Sequence, residues 1–151
     1  MFDEDSASSS VTKRIVIAIV LVGGFLLLKQ WHHPSSLEAS GWNSNWDAAV
    51  EQSRATGKPA LVLYTADWCP SCRQFESQVL ERDDVKDYLK SNYTLVTVDL
   101  SDRAGPNVAL AQKAGVQAIP TIIRYDRSGQ EVARSHGMPA EGLFAWLGSG
   151  R

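Results

Sequence analysis

The sequence predicts an α/β domain, with a central mixed sheet flanked by helices, preceded by a single N-terminal transmembrane helix. Three observations predict this arrangement. With 151 residues and 44% hydrophobic content, the chain can form one compact domain of roughly 100 residues and a further segment. Apolar runs of strand length alternate with helical patterns from residue 42 onward. A charge-free run at residues 15–28 precedes them.

The charge-free run reads IVIAIVLVGGFLLL. As a helix of roughly 1.5 Å per residue it would measure about 21 Å, which is shorter than a bilayer core of about 30 Å. If Lys13, Arg14 and Lys29 extend their charged ends toward the interface, the helix can cover 11–31 and reach about 31 Å. We therefore expect a short cytoplasmic tail at 1–10 and a transmembrane anchor at 11–31.

Two other interpretations of this run stay open. A basic pair before an apolar stretch also begins a cleaved signal peptide, although the best small-residue triplet, 39–41, lies thirteen residues beyond Leu28. The run could also be a buried core helix. If the anchor is retained, two basic residues before the run and the single Lys29 after it predict that the domain lies outside the cytoplasm.

The domain is predicted to occupy 42–151, after a short polar linker at 32–41. The formal net charge is −2, and its two signs are interspersed. No run of Lys and Arg interleaved with aromatic residues follows the predicted anchor. We therefore expect no nucleic-acid partner.

Capping residues and apolar periodicity define the first half of the domain. One of the polar residues 43–45 can cap a first helix, and Gly57 stands where a left-handed residue ends it. Two continuous apolar runs, 59–65 and 93–100, are typical of strands covered on both faces. The residues between these runs follow a helical pattern, so this half predicts a βαβ unit with parallel strands.

The second half predicts a ββα unit. Pro106 can open a helix that Gly115 ends. Residues 121–126 and 131–135 then predict two strands of a hairpin around the turn DRSG. Residues 139–147 form a closing helix with one apolar face. A mixed sheet flanked by helices accommodates both units.

The chain contains only two cysteines, Cys69 and Cys72, and they lie between the first strand and a helix. As a structural disulfide they would add little stability, because closing so small a loop constrains the unfolded chain little. A zinc ion needs four ligands, and the three histidines offer no matched spacing, so we expect no metal. The redox interpretation has positive support.

Pro70 provides that support, because proline fits the first helical position and places the helix start just after Cys69. Cys69 then lies at the positive end of the helix, where free amides and the helix dipole favour a thiolate. Cys69 is therefore the predicted nucleophile. Cys72, one turn into the helix, can attack the resulting mixed disulfide and release the substrate.

The motif DWCPSC follows an apolar strand, and AIPT follows about fifty residues later. Over about 42–151 this pattern resembles the thioredoxin-fold oxidoreductases. The stretches YTADWCPSCRQFE, VTVDLSD, GVQAIPTII and DRSGQEV are most similar to the C-terminal periplasmic domain of the DsbD family. The resemblance implies a cis Ile119–Pro120 peptide bond beside the cysteines and a substrate-binding role for Ile119, Pro120 and Thr121.

Two residues that flank Cys69 complete the predicted substrate-binding set. Trp68 is expected to shield the thiols and contact partners, and Pro70 to contribute to the same surface. His136 is expected to be an ordinary residue at a strand end.

One position departs from the family pattern. The buried acid that usually stands six residues before the first cysteine is replaced here by Leu63. Glu76, four residues after Cys72 and so on the same helical face, matches a glutamate of the DsbD-like domains. A partly buried Glu76 would have a raised pKa suited to proton transfer. An exposed glutamate without a catalytic role is the alternative.

We expect a membrane-anchored thiol–disulfide oxidoreductase of the bacterial inner membrane, with its domain in the periplasm. It would reduce, or relay electrons to, the disulfides of partner proteins. No flavin or nicotinamide motif is present, so the redox-active pair Cys69 and Cys72 is expected to work without a cofactor, and a DsbD-type membrane partner to supply electrons. A disulfide oxidase or isomerase with the same residues, and a non-catalytic thioredoxin-fold binding module, are the alternatives.

Overall fold

The computed structural model describes residues 36–148 and, outside that range, Ile17 alone. The predicted tail and all of the predicted anchor except Ile17 lie outside the described residues. Within the described part of the chain, no helix has the length and apolar content needed to cross a bilayer. The predictions for residues 1–31 therefore stay predictions.

Six helices, one π-helical turn and four strands make up residues 36–148. The helices are α1 (Ser36–Ala39), α2 (Trp46–Thr56), α3 (Pro70–Phe75), α4 (Asp83–Asn92), α5 (Pro106–Lys113) and α6 (Ala140–Gly148), and the π-helical turn (Glu76–Leu80) follows α3 directly. The strands are β1 (Ala60–Thr65), β2 (Thr94–Asp99), β3 (Thr121–Tyr125) and β4 (Glu131–His136).

The four strands form one mixed sheet in the order β2-β1-β3-β4. Strand β1 pairs with β2 in parallel and with β3 in antiparallel orientation. Strands β3 and β4 form the predicted hairpin. The prediction of a βαβ unit followed by a ββα unit, with helices around a mixed sheet, is confirmed.

Alternation along the strands divides the core into two clusters, one on each face of the sheet. On β1, Leu61 and Leu63 point to what we call the front face, and Val62 and Tyr64 point to the back face. The front face packs against α1, α3, the π-helical turn, α4 and α6. The back face packs against α2 and α5. Each of the four β1 side chains is at most 1% exposed, as expected for a strand covered on both faces.

The predicted ends of α2 are confirmed. Asn45 caps the helix, because its Oδ1 accepts a hydrogen bond from the Ala48 N–H at 3.0 Å. Gly57 ends the helix in a left-handed conformation with φ 64°.

Of the predicted polar linker at 32–41, the first part, 32–35, lies outside the described residues, and the second part packs against the domain. Residues 36–39 form α1, and Leu37 is 2% exposed within the front-face cluster. Gly41 ends this short helix with φ 88°, where its N–H donates to the Glu38 carbonyl and the Trp42 N–H donates to the Leu37 carbonyl, both at 3.0 Å. A single apolar side chain in a polar stretch has no periodicity, so the sequence does not reveal this docking.

The π-helical turn is the second departure from the predicted elements. The Glu81 N–H donates to the Glu76 carbonyl at 2.9 Å, a hydrogen bond that spans five residues instead of four. The predicted face of Phe75, Val79 and Leu80 is nevertheless buried. The helix that begins at Pro70 therefore widens at Glu76.

A buried arginine ties β3 to the last helix. Arg124 is 6% exposed, and its Nη1 donates to the Leu147 carbonyl at 2.6 Å and to the Trp146 carbonyl at 3.4 Å. The guanidinium carbon lies 5.5 Å from the centre of the Trp146 ring. The cation thus sits at the carboxyl end of α6, where the helix dipole favours positive charge.

Candidate active site

The two cysteines form a disulfide at the start of α3, with their Cα atoms 5.3 Å apart. Cys69 is the N-cap of the helix, in an extended conformation, and Pro70 occupies the first turn. The Cys72 N–H points at Cys69 Sγ at 3.2 Å. The predicted helix start is confirmed, and it places Cys69 sulfur against free backbone amides at the positive end of a helix.

The two sulfurs differ in access. Cys72 is 0% exposed, whereas Cys69 keeps 5% of its surface accessible. Ala66, Leu100 and Ile119 pack around the pair. An incoming sulfur can therefore reach Cys69 and not Cys72, which agrees with Cys69 as the nucleophile.

The loop before β3 lies beside Cys69. Its Ile119–Pro120 peptide bond is cis. The Ile119 carbonyl oxygen is 3.9 Å from Cys69 Sγ. Pro120 is buried against Gly137, where a Cβ would come within 3.0 Å of Pro120 Cγ. A side chain at position 137 would therefore displace the loop that faces the disulfide.

The Thr121 side chain stabilises the same loop through a hydrogen bond to the loop backbone. Its side chain is 1% exposed, and its hydroxyl donates to the Ala118 carbonyl at 2.6 Å. His136 Nδ1 lies 3.1 Å from the same hydroxyl oxygen. The hydroxyl is thus engaged inside the domain, and a substrate contact made through Thr121 stays a prediction.

A groove of about 530 Å³ opens between the helix that carries the cysteines and this loop. Most of its walls are apolar or amide side chains, and it includes the predicted residues Ile119 and Pro120. The lining residues are Ser71, Gln74, Phe75, Gln78, Val79, Ala118, Ile119, Pro120, His136, Gly137, Met138 and Pro139. The groove is suited to an extended peptide because it is open and carries amides beside apolar side chains.

Trp68 stands apart from this groove. It is 45% exposed, and the guanidinium carbon of Arg103 lies 4.3 Å from its ring centre. Arginine stacked on an indole is a favourable cation–π arrangement. The exposed ring is consistent with the predicted partner contact, which stays a prediction.

Glu76 is partly buried at the point where α3 becomes the π-helical turn. Its carboxylate accepts a hydrogen bond from the Thr65 hydroxyl at the end of β1. Burial raises the pKa of Glu76, and the Thr65 hydrogen bond partly offsets that increase. Leu63, which stands where the family carries an acid, is fully buried in the front-face cluster.

Sequence reasoning did not single out Thr65 or Arg103, and it expected His136 to be an ordinary residue at a strand end. Thr65 contacts Glu76, Arg103 contacts Trp68, and His136 contacts Thr121. The two residues of each pair are distant in sequence. The only sequence signal was the position of Thr65 and His136 at strand ends that adjoin the loops of the site.

No group of three or more His, Cys, Asp or Glu side chains in the described residues could hold a metal ion.

Another groove, of about 400 Å³, lies between α2 and α5 on the back face of the sheet.

A family model described as a thioredoxin-like domain matches residues 46–150. The thiol:disulfide interchange protein DsbD of Pseudoalteromonas atlantica is 31% identical over 91 residues, which are 60% of this chain and 15% of that protein. The chain therefore spans a small part of that relative.

Two solved structures share the fold. A DsbH oxidoreductase aligns with a TM-score of 0.64 at 24% identity, covering 72% of this chain and 82% of its own. The oxidised C-terminal domain of DsbD from Neisseria meningitidis aligns with a TM-score of 0.59 at 20% identity, covering 73% and 99%. At these identities the likeness shows the fold alone, and that fold is the predicted one.

The family match covers the helix with the cysteine pair, the loop beside it and the whole sheet. The chain belongs to the thioredoxin-like domain family and carries the thiol:disulfide oxidoreductase centre of that family.

Proposed function

We propose that this protein is a membrane-anchored thiol–disulfide oxidoreductase that reduces, or relays electrons to, the disulfides of partner proteins in the bacterial periplasm. One observation carries the proposal: a disulfide at a helix N-terminus exposes only Cys69, beside a groove open to an extended peptide. Cys69, Cys72 and Glu76 are the reacting groups, and Ile119 and Pro120 border the bound peptide.

The exchange cycle starts from the reduced pair. The Cys69 thiolate attacks one sulfur of a partner disulfide, forms a mixed disulfide and releases the other partner sulfur as a thiolate, which takes a proton from solvent. The Cys72 thiol then loses its proton, attacks Cys69 Sγ and releases the partner's second thiolate. Two electrons pass to the partner, and the Cys69–Cys72 disulfide remains.

The helix start favours this direction of attack. The Cys72 N–H that points at Cys69 Sγ, together with the helix dipole, stabilises negative charge on that sulfur. A thiolate at Cys69 is the better nucleophile, while Cys72 stays protonated in its buried position until the second step.

Glu76 is the proposed acceptor of the Cys72 proton. Its pKa is raised by burial, which brings it closer to the pKa of a thiol and so favours proton transfer between the two. Thr65, bonded to the carboxylate, orients it. Glu76 thus takes the role of the acid that Leu63 replaces.

Electrons would come from a membrane partner of the DsbD type. The similarity to DsbD proteins supports this part of the proposal. The predicted anchor at 11–31 would hold the domain at the inner membrane beside such a partner.

The reduction potential of the full chain tests the redox role. The chain is equilibrated with dithiothreitol or glutathione buffers, and the reduced fraction is measured by thiol alkylation. A value near that of thioredoxin, about −270 mV, supports a reductant, whereas one near DsbA, about −120 mV, indicates an oxidant. If no reversible two-electron couple appears, the redox role is excluded.

Thiol labelling in intact bacterial cells tests the location. A membrane-impermeant maleimide should label Cys69 without lysis if the domain faces the periplasm, and alkaline carbonate should fail to extract the protein from membranes. Labelling only after lysis would place the domain in the cytoplasm instead.

A further inference from the structure

His136 ends β4, opposite Thr121 in the register of the β3–β4 hairpin. Its side chain lines the groove beside the cysteine pair, together with Pro120 and Met138. The mechanism described above gives His136 no role. The geometry around its ring nevertheless fixes what the imidazole can offer to a bound peptide.

The hydrogen bonds of Thr121 determine the position of the ring proton. The hydroxyl has one proton, and the Ala118 carbonyl, 2.6 Å away, can only accept it. His136 Nδ1, 3.1 Å from the same oxygen, must therefore donate its own N–H to Thr121. In a neutral imidazole with a proton on Nδ1, Nε2 is an acceptor.

Nε2 is available for a partner. Among the described residues, the Thr121 hydroxyl is the only hydrogen-bond partner of the ring, and His136 is exposed. One ring nitrogen is thus held by the loop, and the other is free at the groove.

Among the residues that line the groove, His136 is the only acid or base. The side chains that surround the groove from α3, the π-helical turn and the two neighbouring loops contain no acid and no base. The nearest charged residue on the same strand face, Arg134, is bonded to Glu131 and to the carbonyls of Ala114 and Gly115. No charged side chain of the groove therefore competes with His136 for a polar residue of a bound peptide.

We propose that His136 determines partner specificity through a hydrogen bond between its Nε2 and the residue beside the partner's cysteine. This inference rests on the proposed disulfide exchange. With the Nδ1 proton held by Thr121, Nε2 accepts a hydrogen bond from a donor such as an amide or hydroxyl, and disfavours a carboxylate. The ligand class is an extended peptide with a hydrogen-bond donor next to its reactive cysteine.

Two disulfide-linked peptides that differ only in Gln or Glu beside the cysteine provide the test, because the two side chains have nearly the same shape. The second-order rate constant for oxidation of the reduced full chain by each peptide is measured at one fixed pH. The Gln/Glu rate ratio is divided by the same ratio measured with dithiothreitol, which corrects for the intrinsic reactivity of the two peptides. We expect the corrected ratio of the wild type to be about threefold or more.

Two variants assign this preference to the ring. His136→Asn keeps an N–H donor for Thr121 and removes the imidazole Nε2, while His136→Leu removes both. In each variant the corrected Gln/Glu ratio should fall toward one, because neither side chain places an acceptor where Nε2 lies. A wild-type ratio of about one, or a ratio that stays at the wild-type value in His136→Leu, overturns the proposal.

Exchange with glutathione disulfide, which does not fill the groove, separates this inference from the proposed function. If the wild type is oxidised by glutathione disulfide but does not prefer the Gln peptide, the specificity proposal is wrong and the oxidoreductase role stands. If the wild type fails to react with glutathione disulfide as well, both are overturned.

Discussion

The front and back faces of the sheet are packed by different kinds of side chain. The front-face cluster consists mainly of leucines and valines, with Trp42, Phe75, Ile122 and Ala140, and it supports the helix with the cysteines. The back face contains Tyr64 and Tyr125 and a groove of about 400 Å³ between its two helices. Burial raises the pKa of both tyrosines, so they stay neutral hydroxyls.

The residues of the candidate active site lie mainly on one of the two faces. Cys69, Glu76 and the groove that holds His136 all depend on front-face elements. Disulfide exchange requires the reacting sulfurs and the proton acceptor to be held at fixed positions relative to one another. Dense packing by large apolar side chains holds them there. From the back-face cluster, Leu100 and Ile119 also pack against the cysteine pair, whereas Tyr64 and Leu110 do not. Substitutions on the two faces should therefore separate into effects on activity and effects on stability.

The largest difference is expected between Cys69→Ser and Tyr64→Phe. Cys69→Ser removes the nucleophile and should lower the rate of disulfide reduction by on the order of 10³-fold or more. Tyr64→Phe removes one back-face hydroxyl and should leave the rate nearly unchanged. Insulin reduction measured by turbidity compares the two. Equal loss in both variants would contradict the division between the faces.

Two leucine-to-alanine substitutions, one on each face of the sheet, compare how well the two faces are packed. Leu80 is fully buried in the front-face cluster, whereas Leu110 is only partly buried and lines the back groove. Leu80→Ala should lower the free energy of unfolding by about 2–5 kcal/mol, and Leu110→Ala by about 1 kcal/mol. Urea unfolding followed by tryptophan fluorescence measures both. A larger loss for Leu110→Ala would mean that the back face is the better packed one.

Glu76→Gln tests the proton acceptor on the front face. The amide keeps an oxygen for the Thr65 hydroxyl but cannot take up the Cys72 proton, so exchange at neutral pH should slow by roughly tenfold to a hundredfold. Single-turnover oxidation of the reduced protein by a peptide disulfide gives the rate. Glu51→Gln, on the exposed surface of α2, serves as a control and should react like the wild type. An unchanged rate in Glu76→Gln removes Glu76 from the mechanism.

The smallest effect is expected from Thr65→Val. The Thr65 hydrogen bond lowers the pKa of Glu76 against the opposing effect of burial, so its loss moves that pKa further up. Glu76 accepts a proton only when ionised, and the increase of the exchange rate with pH should therefore shift to higher pH by less than about one unit. Thr65→Ser keeps the hydroxyl and should keep the wild-type profile. A shift to lower pH would show that the hydrogen bond stabilises the protonated acid.

Local signals were enough to predict the fold and the position of the nucleophile. Asn45, Gly57, Pro70 and Pro106 act on neighbouring backbone, and their effects appear in the structure where the sequence places them. The alternation of strands and helices fixed the topology because parallel strands need a crossover and hairpins need a turn.

The contacts that complete the site could not be predicted in this way. Thr65 reaches Glu76 only because the π-helical turn begins there, and one extra residue in a helical turn leaves no mark in apolar periodicity. His136 meets Thr121 through the register of the hairpin. Leu37 reaches the core through a turn that depends on Gly41. Each of these contacts depends on tertiary structure rather than on local preference.

Arg124 has a consequence for how the protein is made. The chain leaves the ribosome from its N-terminus, so β3 is synthesised before the carbonyls of α6 that receive its guanidinium. A product that stops before α6 would lack the carbonyl acceptors of Arg124 and also Leu143 and Leu147 of the front-face cluster. The loss of one such leucine side chain costs about 2–5 kcal/mol, a large share of the stability of a small domain. Chains that lack α6 should therefore fail to fold and be removed by proteases.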